Sequence, residues 1–163
     1  VIPTLRSRNR PGFRAGAPVV VQQERTVSAS PEAVWRALVR VEAWPLWHPG
    51  IRLAILRGRL EPGTVLHWRA DGMRIVSRIM EVDEPRRVGW TLRTMGGRGY
   101  QLWTIELEPH EGGGAATRVR LQESWEGFLV SLLRRTLGRT LDRSRKEWLD
   151  RLKWGVEEQH ERS

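Results

Sequence analysis

One long amphipathic segment closes this chain, and it follows six short stretches that turn residues separate in hairpin succession. Leu133, Leu137, Leu141, Trp148, Leu152 and Val156 recur at helical spacing across 129–158. Asp142/Lys146, Arg143/Glu147, Glu147/Arg151 and Lys153/Glu157 set opposite charges four residues apart on the other face, with a bend predicted at Gly138. Upstream, strands are predicted near 51–57, 64–70, 73–82, 86–94, 100–108 and 117–126. Gly58/Gly63, Asp71-Gly72, Asp83-Glu84-Pro85, Gly96 to Gly99 and Glu111 to Gly114 supply the turns. A curved sheet with a single long amphipathic helix must lay that helix across its concave face, because neither apolar face is buried otherwise. The pattern predicts an α+β helix-grip fold: a seven-stranded curved antiparallel sheet wrapped around a long C-terminal helix, with an internal pocket.

The seventh strand is the first in sequence, Val19–Val27, which is β-branched and bounded by Pro18 and Ser28. Ser30-Pro31-Glu32 then reads as a helix start: a Ser cap, Pro at the first helical position and an acid near the positive end of the helix dipole. Val34, Leu38 and Val41 give this short helix its buried stripe, and Pro45, Pro49 and Gly50 break the chain around Trp44 and Trp47. Residues 1–18 differ from the rest, with Arg6, Arg8, Arg10 and Arg14, no acid and three prolines. They are expected to form a mobile basic arm, followed by one ligand-binding domain over 19–158 and a short tail over 159–163.

Composition removes several chemistries. With no Cys, thiolate catalysis, disulfide scaffolding and Cys-ligated metals are excluded, and a cytoplasmic location is expected. No apolar run approaches the ~18 to 20 residues of a membrane span, and residues 1–18 hold no signal-peptide core. The net charge of +9 favours anionic partners, yet only two of the 28 basic residues are Lys, a skew that codon composition produces without any binding role. The four His residues (48, 67, 110 and 160) lack metal-ligand spacing, and the Gly-rich loops precede strands rather than helices. No metal and no cofactor are expected.

The order of short motifs resembles a known family. Ala29-Ser30-Pro31-Glu32-Ala33-Val34-Trp35-Arg36-Ala37-Leu38, followed by Trp44-Pro45-Leu46-Trp47-His48-Pro49-Gly50, is similar to the opening of the SRPBCC (START-like) superfamily, in its polyketide cyclase/dehydrase and lipid-transport branch. Gly63 to Trp68, Arg87-Val88-Gly89-Trp90, Gly114 to Thr117 and Glu123-Ser124-Trp125-Glu126-Gly127 agree with it, over about 19–158. The resemblance implies the helix-grip fold and a pocket for a hydrophobic or amphipathic small molecule. It implies no particular reaction, since one fold serves many functions.

Strand alternation assigns the pocket face. If Trp68 and Leu66 point inward, the Asp71-Gly72 turn sets Ile75 opposite Trp68 and Ser77 opposite Leu66, and odd positions face inward along that strand. Ile79 then meets Trp90, so Val88, Trp90 and Leu92 face inward. Gln101, Trp103, Ile105 and Leu107 follow, and then Val119, Leu121, Glu123 and Trp125. Arg69, Arg74, Arg78, Arg87, Arg93, Arg118 and Arg120 all fall on the opposite face, and Tyr100 does too. Nucleic acid is not expected there, because the aromatic residues that could stack bases point the other way.

The predicted ligand-binding residues are therefore Trp68, Ile75, Ser77, Trp90, Leu92, Gln101, Trp103 and Trp125 from the sheet, with Leu137, Leu141 and Ser144 from the helix. Trp44 and Trp47 are expected to close one end of the sheet as packing. Glu123 is the candidate catalytic residue. A carboxylate among Trp side chains must be paired, wet or raised in pKa. It serves either a ligand or an ion pair with an Arg of the last helix such as Arg145. His48, near the expected pocket mouth, is the second acid/base candidate. Two readings compete: a carrier, sensor or storage protein, or a polyketide cyclase/dehydratase-like enzyme. The thin set of acid/base groups favours binding of a small hydrophobic, planar or polycyclic ligand, by a monomer or homodimer.

Overall fold

A computed structural model describes residues 12–109 and 114–161, with the side chains of 159–161 excepted. Seven strands, β1 (Val19–Val27), β2 (Ile51–Leu56), β3 (Val65–Ala70), β4 (Met73–Asp83), β5 (Arg87–Arg93), β6 (Arg98–Glu108) and β7 (Ala116–Glu126), form one antiparallel sheet. Their order is β1-β7-β6-β5-β4-β3-β2, a meander from β2 to β7 with β1 returned to the far edge beside β7. Between β1 and β2 lie α1 (Pro31–Val39), a 3₁₀ turn (Val41–Ala43) and α2 (Trp44–Trp47). Ser30 caps α1 by accepting a hydrogen bond from the Ala33 amide, with Pro31 in the first turn. Val34, Trp35 and Leu38 turn its apolar face inward.

The last element is broken where the sequence predicts one helix over 129–158. A short α3 (Phe128–Leu132) ends at Leu133, and α4 (Arg134–Glu161) continues from there. The break falls at Leu133 rather than at Gly138, which lies within α4. Leu141, Arg145, Trp148, Leu149, Leu152 and Val156 pack α4 into the concave face of the sheet, while Leu133 is exposed and Leu137 half-buried. The buried stripe therefore begins later than its sequence spacing suggests, because the first turns of the segment overhang the sheet.

Strand register agrees with the alternation argument. Trp68 lies opposite Ile75, Leu66 opposite Ser77 and Ile79 opposite Trp90. A bulge between Ile79 and Glu81 then inverts the alternation, so Val82 packs on the core and Glu81 faces outward, contrary to the uniform odd-inward expectation. Leu107 has the inward phase but is exposed at the strand end. The segment 1–11 and the loop 110–113 lie outside the described residues. From Gly12 onward the arm reaches β7, where the Arg14 amide donates to Ser124 Oγ at 3.2 Å and its guanidinium to Glu126 at 3.3 Å.

Candidate functional site: an aromatic interior with a buried ion pair

The space between sheet and α4 is filled by indoles. Trp148, one turn beyond Arg145 on α4, meets the rings of Trp44, Trp47, Trp68, Trp103 and His48 at centroid distances of 5.0, 5.7, 6.0, 5.3 and 5.3 Å. Trp44 also meets Trp68 at 5.5 Å and Trp90 at 6.0 Å. Most of these contacts are edge-to-face, the geometry that ring quadrupoles favour. The sequence argument reserved Trp44 and Trp47 for packing at one end and left Trp148 out of the site. The place of Trp148 on the helix stripe was visible, but its meeting with Trp44 and Trp47 depends on where α2 docks.

Each candidate residue can now be placed. Trp68, Ile75, Ser77, Trp90, Leu92, Gln101, Trp103 and Trp125 are all buried, as is Leu141. Leu137 and Ser144 are half-buried. Trp68 Nε1 donates to Ser77 Oγ at 3.0 Å, which satisfies both groups on the concave face. Trp125 stands apart from the Trp148 cluster and donates its indole N–H to Glu123. Ser77, Leu92 and Trp125 also border a groove of about 770 Å³ whose other walls include Val76, Thr91 and Tyr100.

Glu123 is fully buried and fully engaged. Its Oε2 accepts from Arg145 Nε at 2.6 Å and from Gln101 Nε2 at 2.7 Å. Its Oε1 accepts from Arg145 Nη2 at 2.9 Å and from the Trp125 indole. This bidentate fork is the strong form of the carboxylate–guanidinium contact. Gln101 in turn accepts from Trp103 Nε1 at 3.4 Å, and Arg145 Nη1 donates to Ser144 Oγ at 3.1 Å. Four donors on two oxygens leave this carboxylate no free lone pair for proton transfer in the usual count. Of the two roles the sequence left open, the geometry is that of the ion pair.

His48 does not stand at an open mouth. It is buried between Trp47 and Trp148, because α2 docks beneath α4 where Gly155 leaves room: a Cβ there would lie 3.1 Å from Trp47 Cβ. Burial holds its pKa below 6.5, against opposing pulls from Glu147 and Asp71. The Gly50 amide donates to Nδ1 at 3.2 Å, so the neutral ring carries its proton on Nε2. That Nε2 and the indole Nε1 of Trp90 are buried without a hydrogen-bond partner among the described residues. Sequence reasoning could not have found them, since an orphaned atom is defined by what surrounds it.

The remaining groups offer little further chemistry. Tyr100 lies on the convex face yet is buried, donating to Glu81 Oε1 at 2.7 Å. Burial and the Glu81 carboxylate push its phenol far above the usual range. His67 is exposed, and no cluster of metal-ligating side chains occurs among the described residues.

Comparison with known proteins follows this geometry. A family model described as polyketide cyclase / dehydrase and lipid transport matches residues 18–157. No curated protein matches the chain. Among solved structures, a hypothetical protein from Helicobacter pylori superposes with a TM-score of 0.73 at 15% identity, covering 91% of this chain and 96% of that one. The ZhuI aromatase/cyclase from Streptomyces sp. R1128 gives 0.70 at 14% identity, covering 85% and 93%. A START superfamily protein from Mycobacterium smegmatis gives 0.61 at 20% identity, covering 85% and 97%. At such identities the likeness is one of fold.

Proposed function

Because this chain belongs to the polyketide cyclase/dehydrase and lipid transport family, we propose that it binds a flat, hydrophobic small molecule bearing acceptor oxygens between the sheet and α4, as a carrier or sensor. One observation carries this reading: two buried ring N–H groups, on Trp90 and His48, lack an acceptor among the described residues inside a wall of indoles. A buried donor left unmade costs about 1–3 kcal/mol, and a ligand carbonyl or ether would relieve it. The indoles fill the interior, so they must part to admit a guest. Each edge-to-face contact is worth only about 0.5–1.5 kcal/mol beyond burial, and a planar ligand that stacks on two rings replaces what it disrupts. Trp68, Trp90, Trp103 and Leu141 would supply the apolar walls.

The test is a titration with 1-anilinonaphthalene-8-sulfonate, together with native mass spectrometry of protein from its own host. Saturable dye binding near one per chain, with Trp quenching, is expected. Trp90→Phe, which keeps an aromatic ring and removes the N–H, should weaken binding several-fold. Dye uptake that never saturates, or that is unchanged by Trp90→Phe, would remove the interior as the site.

A cyclase/dehydratase-like enzyme is the second reading, favoured by one feature. The His48 imidazole is kept neutral by burial, and its Nε2–H finds no acceptor among the described residues, so it could polarise a substrate carbonyl as a neutral hydrogen-bond donor. It would act without Glu123, whose oxygens are already engaged by Arg145, Gln101 and Trp125. Conversion of a poly-β-ketone thioester mimic, lost in His48→Gln, would establish this reading in place of the first.

A further inference from the structure

The short helix α3 exposes the side chains a helix normally hides. Phe128, Leu129, Leu132 and Leu133 are each at least half exposed, and only Val130 turns inward. Val130 packs on the β5–β6 hairpin, where a Cβ at Gly97 would lie 2.6 Å from its Cγ2. A Cβ at Gly96 would lie 3.7 Å from Leu129 Cδ1, so the hairpin tip adjoins the same surface. Met95, at that tip, is fully exposed. Five large apolar side chains thus share one end of the molecule, and a contiguous patch of this kind on a soluble domain marks an interaction surface.

The charges around it are mostly positive, and Glu126, an acid beside it, is paired with Arg14 and Arg98. Arg134, Arg135 and Arg139 follow in the next turns with no acid between Gly127 and Leu141, and Arg93 flanks the hairpin. These four guanidinium groups are exposed and have no ion pair among the described residues. Phe128 and Leu132 are four residues apart on α3, and Arg135 and Arg139 four apart on α4, so each pair shares one face of its own helix. An apolar tip ringed by Arg is the pattern of an interfacial anchor, whose apolar side chains enter the acyl boundary while cations meet lipid phosphates.

The geometry points to an anionic membrane surface as the partner of this end of the protein, docked through Phe128, Leu129, Leu132, Leu133 and Met95 with Arg93, Arg134, Arg135 and Arg139 on the headgroups. A second copy fits less well, since face-to-face pairing would set one arginine collar against another. Nucleic acid would engage the arginines and leave the apolar tip in water. The inference does not depend on what the interior holds, and bare vesicles test it.

The whole chain is sedimented with vesicles of phosphatidylcholine alone and with a third of the lipid replaced by phosphatidylglycerol. Binding to the anionic vesicles at least tenfold tighter than to neutral ones is expected, weakening as salt is raised. Arg135→Glu/Arg139→Glu and Phe128→Ser/Leu132→Ser should each reduce it tenfold or more. Leu107→Ser, an exposed apolar residue elsewhere, should leave it unchanged. Thermal unfolding checks each variant; if the serine pair is destabilised, the charge-reversal pair, on exposed side chains, decides. No sedimentation, equal binding to both vesicles, or a dimer that Phe128→Ser/Leu132→Ser disperses would each overturn the proposal.

Discussion

Glu123 and Arg145 show how one buried pair can hold two layers together. β7 and α4 are joined through a fork buried from solvent, and the sheet adds Gln101 and the Trp125 indole. Glu123→Gln would leave the guanidinium buried beside a neutral amide, and a loss of about 3–5 kcal/mol is expected in urea unfolding. Replacing both partners, as in Glu123→Leu/Arg145→Met, should recover most of that loss, because the cost lies in the orphaned charge. A Glu123→Gln variant of unchanged stability with weakened dye binding would instead return Glu123 to the ligand. His48 gives a second test at this scale. Its folded pKa lies below its unfolded value near 6.5, so the unfolded chain takes up a proton first as pH falls. Stability should therefore decline as pH drops through about 6.5 and go on declining until the folded imidazole itself titrates. His48→Gln should flatten that decline, seen by comparing urea midpoints at pH 7.5 and 5.5.

Among the elements, the hairpin strands were legible because turn residues fix register and register fixes the face. Trp68 opposite Ile75 follows from the Asp71-Gly72 turn alone, whereas Ile79 opposite Trp90 needs the bulge as well, since the turn at Pro85 pairs Asp83 with Arg87. What alternation could not see was the bulge at Met80, which one inserted residue creates without any change of composition. The bulge has a visible partner. Glu81, turned outward by it, accepts from Tyr100 across Gly89, and a Cβ at Gly89 would sit 2.4 Å from the Tyr100 hydroxyl and 2.9 Å from Glu81 Oε1. Gly89→Ala should push these side chains apart and cost about 1.5–3 kcal/mol, roughly one hydrogen bond to a charged group. Tyr100→Phe should cost a similar amount, and the double variant little more than either, in thermal melts. The break at Leu133 was equally hidden. Helical periodicity runs through it, and only the docking of Val130 against the hairpin separates α3 from α4.

For the molecule as a whole, the predicted architecture followed from counting faces: one sheet, one long helix, one shared interior. The identity of the candidate site was legible only in part. Inward indoles could be named from strand phase, whereas their convergence on Trp148 required the three-dimensional path of α2. That convergence makes Trp148 the residue on which the interior depends. Trp148→Ala should cost about 3–5 kcal/mol, the usual range for a buried aromatic truncated to a methyl group, a large share of a total near ~5–15 kcal/mol. Trp148→Phe should cost less and leave saturable dye binding in place. Calorimetry and the dye titration together check both outcomes.

The return of β1 to the far edge of the sheet also has a consequence in time. Val19 pairs with Trp125 and Val27 with Thr117, so the first strand of this sheet has no neighbour until β7, its last, has left the ribosome. At ~5–20 residues per second that wait is roughly 5–20 s, during which β2 to β6 can close hairpin by hairpin from local contacts. β1, whose Val19, Val21 and Val27 are bound for the core, spends that interval with both edges unpaired, the kind of segment on which nascent-chain chaperones act. Synthesis rate through the second half of the message, which touches no contact in the finished protein, should therefore govern how much of it escapes aggregation.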